Sequence, residues 1–226
     1  LEHEKSVLIN KKLSLQILAS DNCNPEICIK YFGCGQAEKS YGSTTIDSMS
    51  VISNGKQVIV NTNDTPYPLG YESAQKIKNK YDTIDLLLLG YSSANSYPQC
   101  FQLSEKEKNI GKHKVVTKFL DYAESYISLF KPRFYFPFAG RYVLAGKNFE
   151  LNEYTANISP DDAVDFLDSS KNIPNSSQSV RLNSNCSFDI DTGISSEKYI
   201  PLDKKEQQEY CQNILSKQKY DYEYED

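Results

Sequence analysis

The stretch QVIVNTNDTPYPLGYESAQKIKNKYDTIDLLLLG, residues 57–90, decides the fold. It opens on a β-branched run, Val58-Ile59-Val60, which suits a pleated, half-buried strand. The run stops at Asn61-Thr62-Asn63-Asp64, and Pro66 and Pro68 block any continuation of a ladder. The period then becomes helical, with Ala74, Ile77 and Tyr81 on one face of residues 71–82. Next comes Ile84 to Leu89, apolar except for Asp85, the kind of run that marks a strand covered on both faces. Strand, helix and buried strand in this order point to a layered α/β architecture.

The flanks extend the pattern. Upstream, Leu13, Leu15 and Ile17 alternate with polar residues and predict a strand. Residues 21–45 read as a loop, and Asn54-Gly55 is a strong turn signal for a hairpin ending in the 58–60 strand. Downstream, Val115, Val116, Phe119, Ala123, Tyr126, Ile127 and Phe130 predict a long helix over 104–131. Ser104 and Glu107 form a capping box at its start, and Pro132 stops it. RFYFPFAG, 133–140, is a second buried strand. Ser159 and Pro160 open another helix as cap and first residue. Short strands are expected near 180–183 and 186–190, and a last helix over 203–217 is capped by Asp203 with Glu206.

Bulk properties narrow the function classes. The 226 residues fit one domain, 1–226, with 1–20 and 218–226 as boundary segments of what is expected to be a longer polypeptide. A net charge of −5 with no Lys/Arg block argues against nucleic-acid binding through phosphates. No apolar run reaches the roughly 18 residues of a membrane span, and no signal peptide is visible, so the expectation is a cytoplasmic protein with reduced thiols. Cys23, Cys28 and Cys34 cluster without a CxxC pair, and the two histidines, His3 and His113, lie far from them in sequence. That spacing does not match a structural zinc site.

Chemistry in layered α/β proteins gathers past the C-terminal ends of strands. Three ends stand out. Asn61–Asp64 carries Asp64, which suits a hard or borderline metal or a simple Asx turn. GYSSANSYPQC, 90–100, offers Ser92, Ser93 and Tyr97 for contacts to a substrate, or for plain loop packing. PFAGRY, 137–142, offers Arg141 as a clamp for a carboxylate or phosphate, or as a simple exposed arginine after a tight turn.

Taken together, VIVNTND, IDLLLLGYSSANSYPQCF and RFYFPFAGRYVL resemble the second half of the metallo-β-lactamase fold. The resemblance is greatest to the branch of CMP-N-acetylneuraminate hydroxylase and UDP-N-acetylmuramate hydroxylase, and extends over about residues 15–225. It implies a layered αββα sandwich, incomplete here, and a metal-dependent hydrolase or hydroxylase acting on a small, sugar-nucleotide-like substrate. It implies zinc or iron in the intact protein, with Asp64 as a ligand and Asn63, Ser92, Ser93, Tyr97 and Arg141 on the substrate side. The His-x-His-x-Asp-His motif of the superfamily's first half does not occur in the chain. The chain is therefore expected to be inactive alone, either as a piece whose partner is a missing N-terminal half or as a degenerate member. The alternative is a non-catalytic binding module, suggested by 17 tyrosines and long polar loops.

Overall fold

The computed structural model of the chain describes residues 4–19 and 48–224. Cys23, Cys28 and Cys34 fall outside these residues. The scaffold is a seven-stranded sheet in strictly sequential order. Strands β1 (Ser6–Asn10), β2 (Leu13–Ala19), β3 (Ser48–Ser53) and β4 (Val58–Asn61) pair antiparallel. From β4 onward the pairing is parallel, through β5 (Leu86–Gly90), β6 (Phe134–Ala139) and β7 (Gln178–Ser179). The layered α/β class expected from residues 57–90 is the one observed.

Three helices cross between the parallel strands: α1 (Tyr67–Lys80), α2 (Glu105–Phe130) and α3 (Pro160–Asp168). A crossover between parallel strands is almost always right-handed. When strand order also runs in one direction, every such helix lands on the same face of the sheet. Here α1 packs on α2, and α2 on α3. Beneath them lies the main core, in which Val60, Leu87, Leu89, Ala123, Ile127 and Phe130 are fully buried. Burying each large apolar side chain contributes roughly 1.5–3 kcal/mol.

The opposite face of the sheet is also apolar, because alternation places Ile59, Leu86, Leu88, Phe134 and Phe136 there. It is covered differently. Val180, Leu182, Phe188 and Ile190 pack onto it from the segment after β7, which carries a small hairpin of β8 (Phe188–Asp189) and β9 (Ile194–Ser195). Phe188 meets Phe134 edge to face at 4.9 Å. The sheet is thus thickly covered by helices on one side and thinly by this segment on the other.

Local chemistry explains the element boundaries. Gly55 turns the β3–β4 hairpin with φ +82°, which a side chain would resist. Helix α1 begins earlier than the 71–82 expected, because Pro66 precedes it in extended conformation and Pro68 sits in its first turn, where no N–H is needed. At α2, Ser104 and Glu107 form the reciprocal capping box, and Lys131 ends the helix in the left-handed region before Pro132. Ser159 caps α3 by accepting from the Asp162 N–H at 3.1 Å. Asp85, the one polar residue in its run, accepts a 2.8 Å hydrogen bond from the Val58 N–H and fastens the starts of β4 and β5 together.

Two expectations change near the C-terminus. The strand expected near 180–183 is instead the two-residue β7 at 178–179, while the one expected near 186–190 is present as β8 at 188–189, paired with β9. Residues 180–183 lie past the end of β7 and instead cover the thin side of the sheet. The last helix, α4 (Lys204–Asn213), is shorter than 203–217, and its final turn tightens into a 3-10 helix at Leu215–Lys217. Asp203 caps α4 through the Lys205 and Glu206 N–H groups, and no residue of α4 is buried.

Candidate functional site

The three strand ends singled out in the sequence have different fates. After β4, the Asn61 side chain accepts from the Asn63 N–H at 2.8 Å, and Asn63 takes φ +50°. This is an Asx turn that closes on itself. The Thr62 N–H donates to Leu88 O at 3.0 Å, tying the turn to β5, and Thr65 O accepts from the buried Tyr126 hydroxyl at 3.2 Å. Asn63 and Asp64 stand exposed at the tip.

After β5, the loop is stitched by its own polar groups. Ser92 donates to Ala156 O at 2.9 Å, and Ser93 accepts from the Asn95 amide at 2.9 Å. The Tyr97 N–H donates to Asn95 Oδ1 at 2.9 Å, while its ring meets Phe101 edge to face. The Tyr142 hydroxyl donates to Asn95 O and accepts from Gln99, so this loop is bolted to the segment after β6. Ser92, Ser93 and Tyr97 line neither of the two cavities described below.

The end of β6 is open. Arg141 follows Gly140, and a Cβ at Gly140 would lie 2.8 Å from Tyr91 Cζ. Glycine at this position therefore lets the Tyr91 ring cross the strand end. Tyr91 continues the alternation of Leu87 and Leu89 past β5 and is almost wholly buried. Burial pushes its phenol up to about 12, with Arg141 opposing and Asp161 reinforcing the shift. Its hydroxyl has no hydrogen-bond partner among the described residues. Tyr199 joins the group from the segment after β9, donating to Asp161 Oδ1 at 2.9 Å. Burial and that carboxylate raise its pKa to about 12 as well, with Tyr91 adding a smaller push.

Beneath these groups Asp161 is held by Arg181 at 3.2 Å, and Arg181 also reaches Asp165 at 2.5 Å. Arg181 is thus neutralised by α3, on which both carboxylates lie. Arg141 is in a different position. Its guanidinium donates to the Gln207 side chain, and it pairs with no carboxylate among the described residues.

Arg141 and Gln207 form part of the wall of a cavity of about 350 Å³ whose remaining lining is mostly apolar, with Phe136, Val164, Val180, Leu182 and Leu202, and also includes Tyr199, Asn183, Ser184 and the ion-paired Arg181. An apolar pocket with one unpaired guanidinium and flanking phenols suits a ligand that carries one anionic group on an apolar body. On the other side of the Arg141–Gln207 contact lies a larger cleft of about 930 Å³, bounded by Lys112, Tyr142, Val143, Phe149, the 150–157 segment and α4.

The family resemblance expects metal chemistry at Asp64. Among the described residues, no three His, Cys, Asp or Glu side chains come together as a metal-binding group. The described residues therefore do not by themselves fit the zinc or iron that the resemblance implies. His113 is exposed on α2. No helix among the described residues is long and apolar enough to cross a membrane.

In the sequence Tyr91 shows only as one of the two phenols of the 90–100 loop, and Tyr199 and Asp161 are not singled out, because nothing near them in sequence indicates that they meet. The only available signal is Gly140 directly before Arg141 at a strand end.

No protein-family model matches the chain, and no curated protein matches it. Among solved structures it is similar to CmlA, a diiron β-hydroxylase from Streptomyces venezuelae, at 9% identity, and to a variant of the CmlA β-hydroxylase at 8%. Both superpositions have a TM-score of 0.40 and cover 80% of this chain and 32% of the other. The chain spans about a third of the length of these structures.

Proposed function

We propose that this chain is the substrate-holding part of a metal-dependent hydrolase or hydroxylase of metallo-β-lactamase type, and that it binds the anionic group of a small substrate at the end of β6. One observation carries the reading: Arg141 reaches the cavity without a carboxylate partner, beside Tyr91 and Tyr199. A zinc or iron ion, if bound in the intact protein, would supply activation of water or dioxygen. Its remaining ligands would come from outside the described residues, with the exposed Asp64 available to supply one.

Isothermal titration with benzoate and with phenyl phosphate tests the anion site. The intact chain should bind at least one of them, and Arg141→Gln should weaken that binding at least tenfold. Absence of binding to both, or equal binding by the variant, would remove the reading.

A second reading, a non-catalytic recognition module, is favoured by a different observation. Tyr71, Tyr210, Tyr222 and Tyr224 present 45–69% of their surface to solvent, and such side chains give contact area at low entropic cost. The two readings part on turnover: only the first gains metal-dependent activity when the chain is expressed with the sequence that precedes it in its gene.

A further inference from the structure

The cavity of about 350 Å³ and the cleft of about 930 Å³ share two lining residues, Arg141 and Gln207. The side chains of those two residues are in contact where the two spaces adjoin. Gln207 lies on α4, which buries none of its residues and is fastened by its Asp203 cap, the Lys204–Asp162 pair and Gln207 itself.

The two sides differ in chemistry. The smaller is walled by Val164, Val180, Leu182 and Leu202 and takes an apolar group. The larger is lined by amides and aromatic rings, Asn152, Asn157, Gln208, Phe149 and Tyr154 among them. Asn157 Oδ1 is buried there with no hydrogen-bond partner. Lys112 and Lys204 also line it, but both are engaged, Lys112 with Glu153 O at 2.8 Å and Lys204 with Asp162 at 3.0 Å. The unpaired cation is Arg141, and it stands at the junction.

An anion at a junction must belong to a ligand that branches there. A simple carboxylate or phosphate monoester has one substituent and leaves one side empty. The α-carboxylate of a peptide sits on a carbon with two branches, an apolar side chain and an amide-bearing chain. Those branches match the two walls.

We propose that the adjoining cavities bind the C-terminus of a short peptide. The terminal carboxylate pairs with Arg141, the last side chain fills the small cavity, and the preceding amides lie along the large cleft. This rests on the anion site at Arg141 and extends it.

Three probes decide the matter by titration calorimetry on the intact chain: Ac-Gly-Gln-Leu as the free acid, the same peptide as its C-terminal amide, and N-acetylleucine. The free acid should bind at least tenfold more tightly than the amide and more tightly than N-acetylleucine. Val143→Trp obstructs the large cleft from an exposed position and should reduce the peptide to the affinity of N-acetylleucine, whose own binding is unchanged. Gln208→Trp, on the opposite wall, should repeat that result. Equal binding of acid and amide overturns the proposal, as does a peptide no tighter than N-acetylleucine. Tighter binding of bis(4-nitrophenyl) phosphate than of the peptide also overturns it and assigns the junction to a phosphodiester. If benzoate still binds through Arg141 in any of these cases, the anion site stands and only the peptide fails. If no anion binds, both fall.

Discussion

The ends of β4 and β6 look alike in the sequence and behave oppositely in the fold. Each is a buried strand running into a small or polar turn with a charged residue, Asp64 in one and Arg141 in the other. At β4 the polar groups satisfy one another: Asn61 accepts from Asn63, and Thr62 holds on to β5. Asp64 is left at an exposed tip with no companion ligands among the described residues. At β6 the neighbours converge. Tyr91 arrives from β5, Asp161 from the start of α3 and Tyr199 from beyond β9, and Tyr199 and Arg141 line a cavity there. A charged residue at a strand end becomes a site only when other elements close around it.

The sharpest contrast is with the core that both ends grow from. Leu87 is fully buried under the helices. Replacing it by alanine leaves a cavity and should cost about 2–5 kcal/mol. A chemical denaturation midpoint far below wild type checks this, and an unchanged midpoint would mean that the helices do not pack on β5 as described. Gly140 should come next. A side chain there meets the flat of a buried ring, so Gly140→Val should cost about 1–3 kcal/mol and also weaken benzoate binding. A Gly140→Val protein that is fully stable and binds normally would separate Tyr91 from the β6 end and dissolve the comparison.

These two positions also show how far the sequence could be read. Leu87 was legible, because a continuous apolar run between a helix and a polar loop has few other interpretations. The α2 cap, the α3 cap and the Asn54-Gly55 turn were legible for the same reason: their chemistry is local. Arg141 was legible as the charged residue that follows a glycine at a strand end. Its partners were not. Tyr91 reads as one of the two phenols of the 90–100 loop, and Tyr199 is delivered by the long segment that wraps the thin face of the sheet. The strand expected near 180–183 was misplaced because Val180 and Leu182, which look like part of a ladder, serve instead as a lid on Phe134 and Phe136. Apolar alternation reports burial and cannot say whether the burying partner is a neighbouring strand or another layer.

Arg141→Gln should leave the denaturation midpoint within about 0.5 kcal/mol of wild type, because the side chain is exposed and its contact with Gln207 is at the surface. Its effect should be confined to anion binding, with a loss of tenfold or more. A large loss of stability would assign Arg141 to the scaffold. The phenols give a pH test of the same end. Tyr91 and Tyr199 rise from 10 to about 12 in the folded chain. Below pH 10 both folded and unfolded chains hold them neutral, and their contribution is fully present. Between about pH 10 and 12 the unfolded chain loses those protons first, so stability falls as pH rises. Tyr91→Phe should flatten that fall when midpoints are followed from pH 8 to 11. A variant that loses stability with pH as steeply as wild type would place the Tyr91 phenol in water.

The smallest effect belongs to Asp64. Its carboxylate is exposed and makes no hydrogen bond or ion pair among the described residues, so Asp64→Ala should shift the denaturation midpoint by less than about 0.5 kcal/mol. It should also leave benzoate binding untouched, because the proposed anion site is at the other strand end. Metal content, measured by plasma mass spectrometry on wild type and variant, is where the two ends come apart or together. Zinc or iron bound by wild type and lost in the variant would make β4 a metal-bearing end whose other ligands lie outside the described residues. Wild type and variant that hold the same metal, or none, would leave the Asn61–Asp64 turn as a closure of the strand, and β6 as the end that faces a ligand.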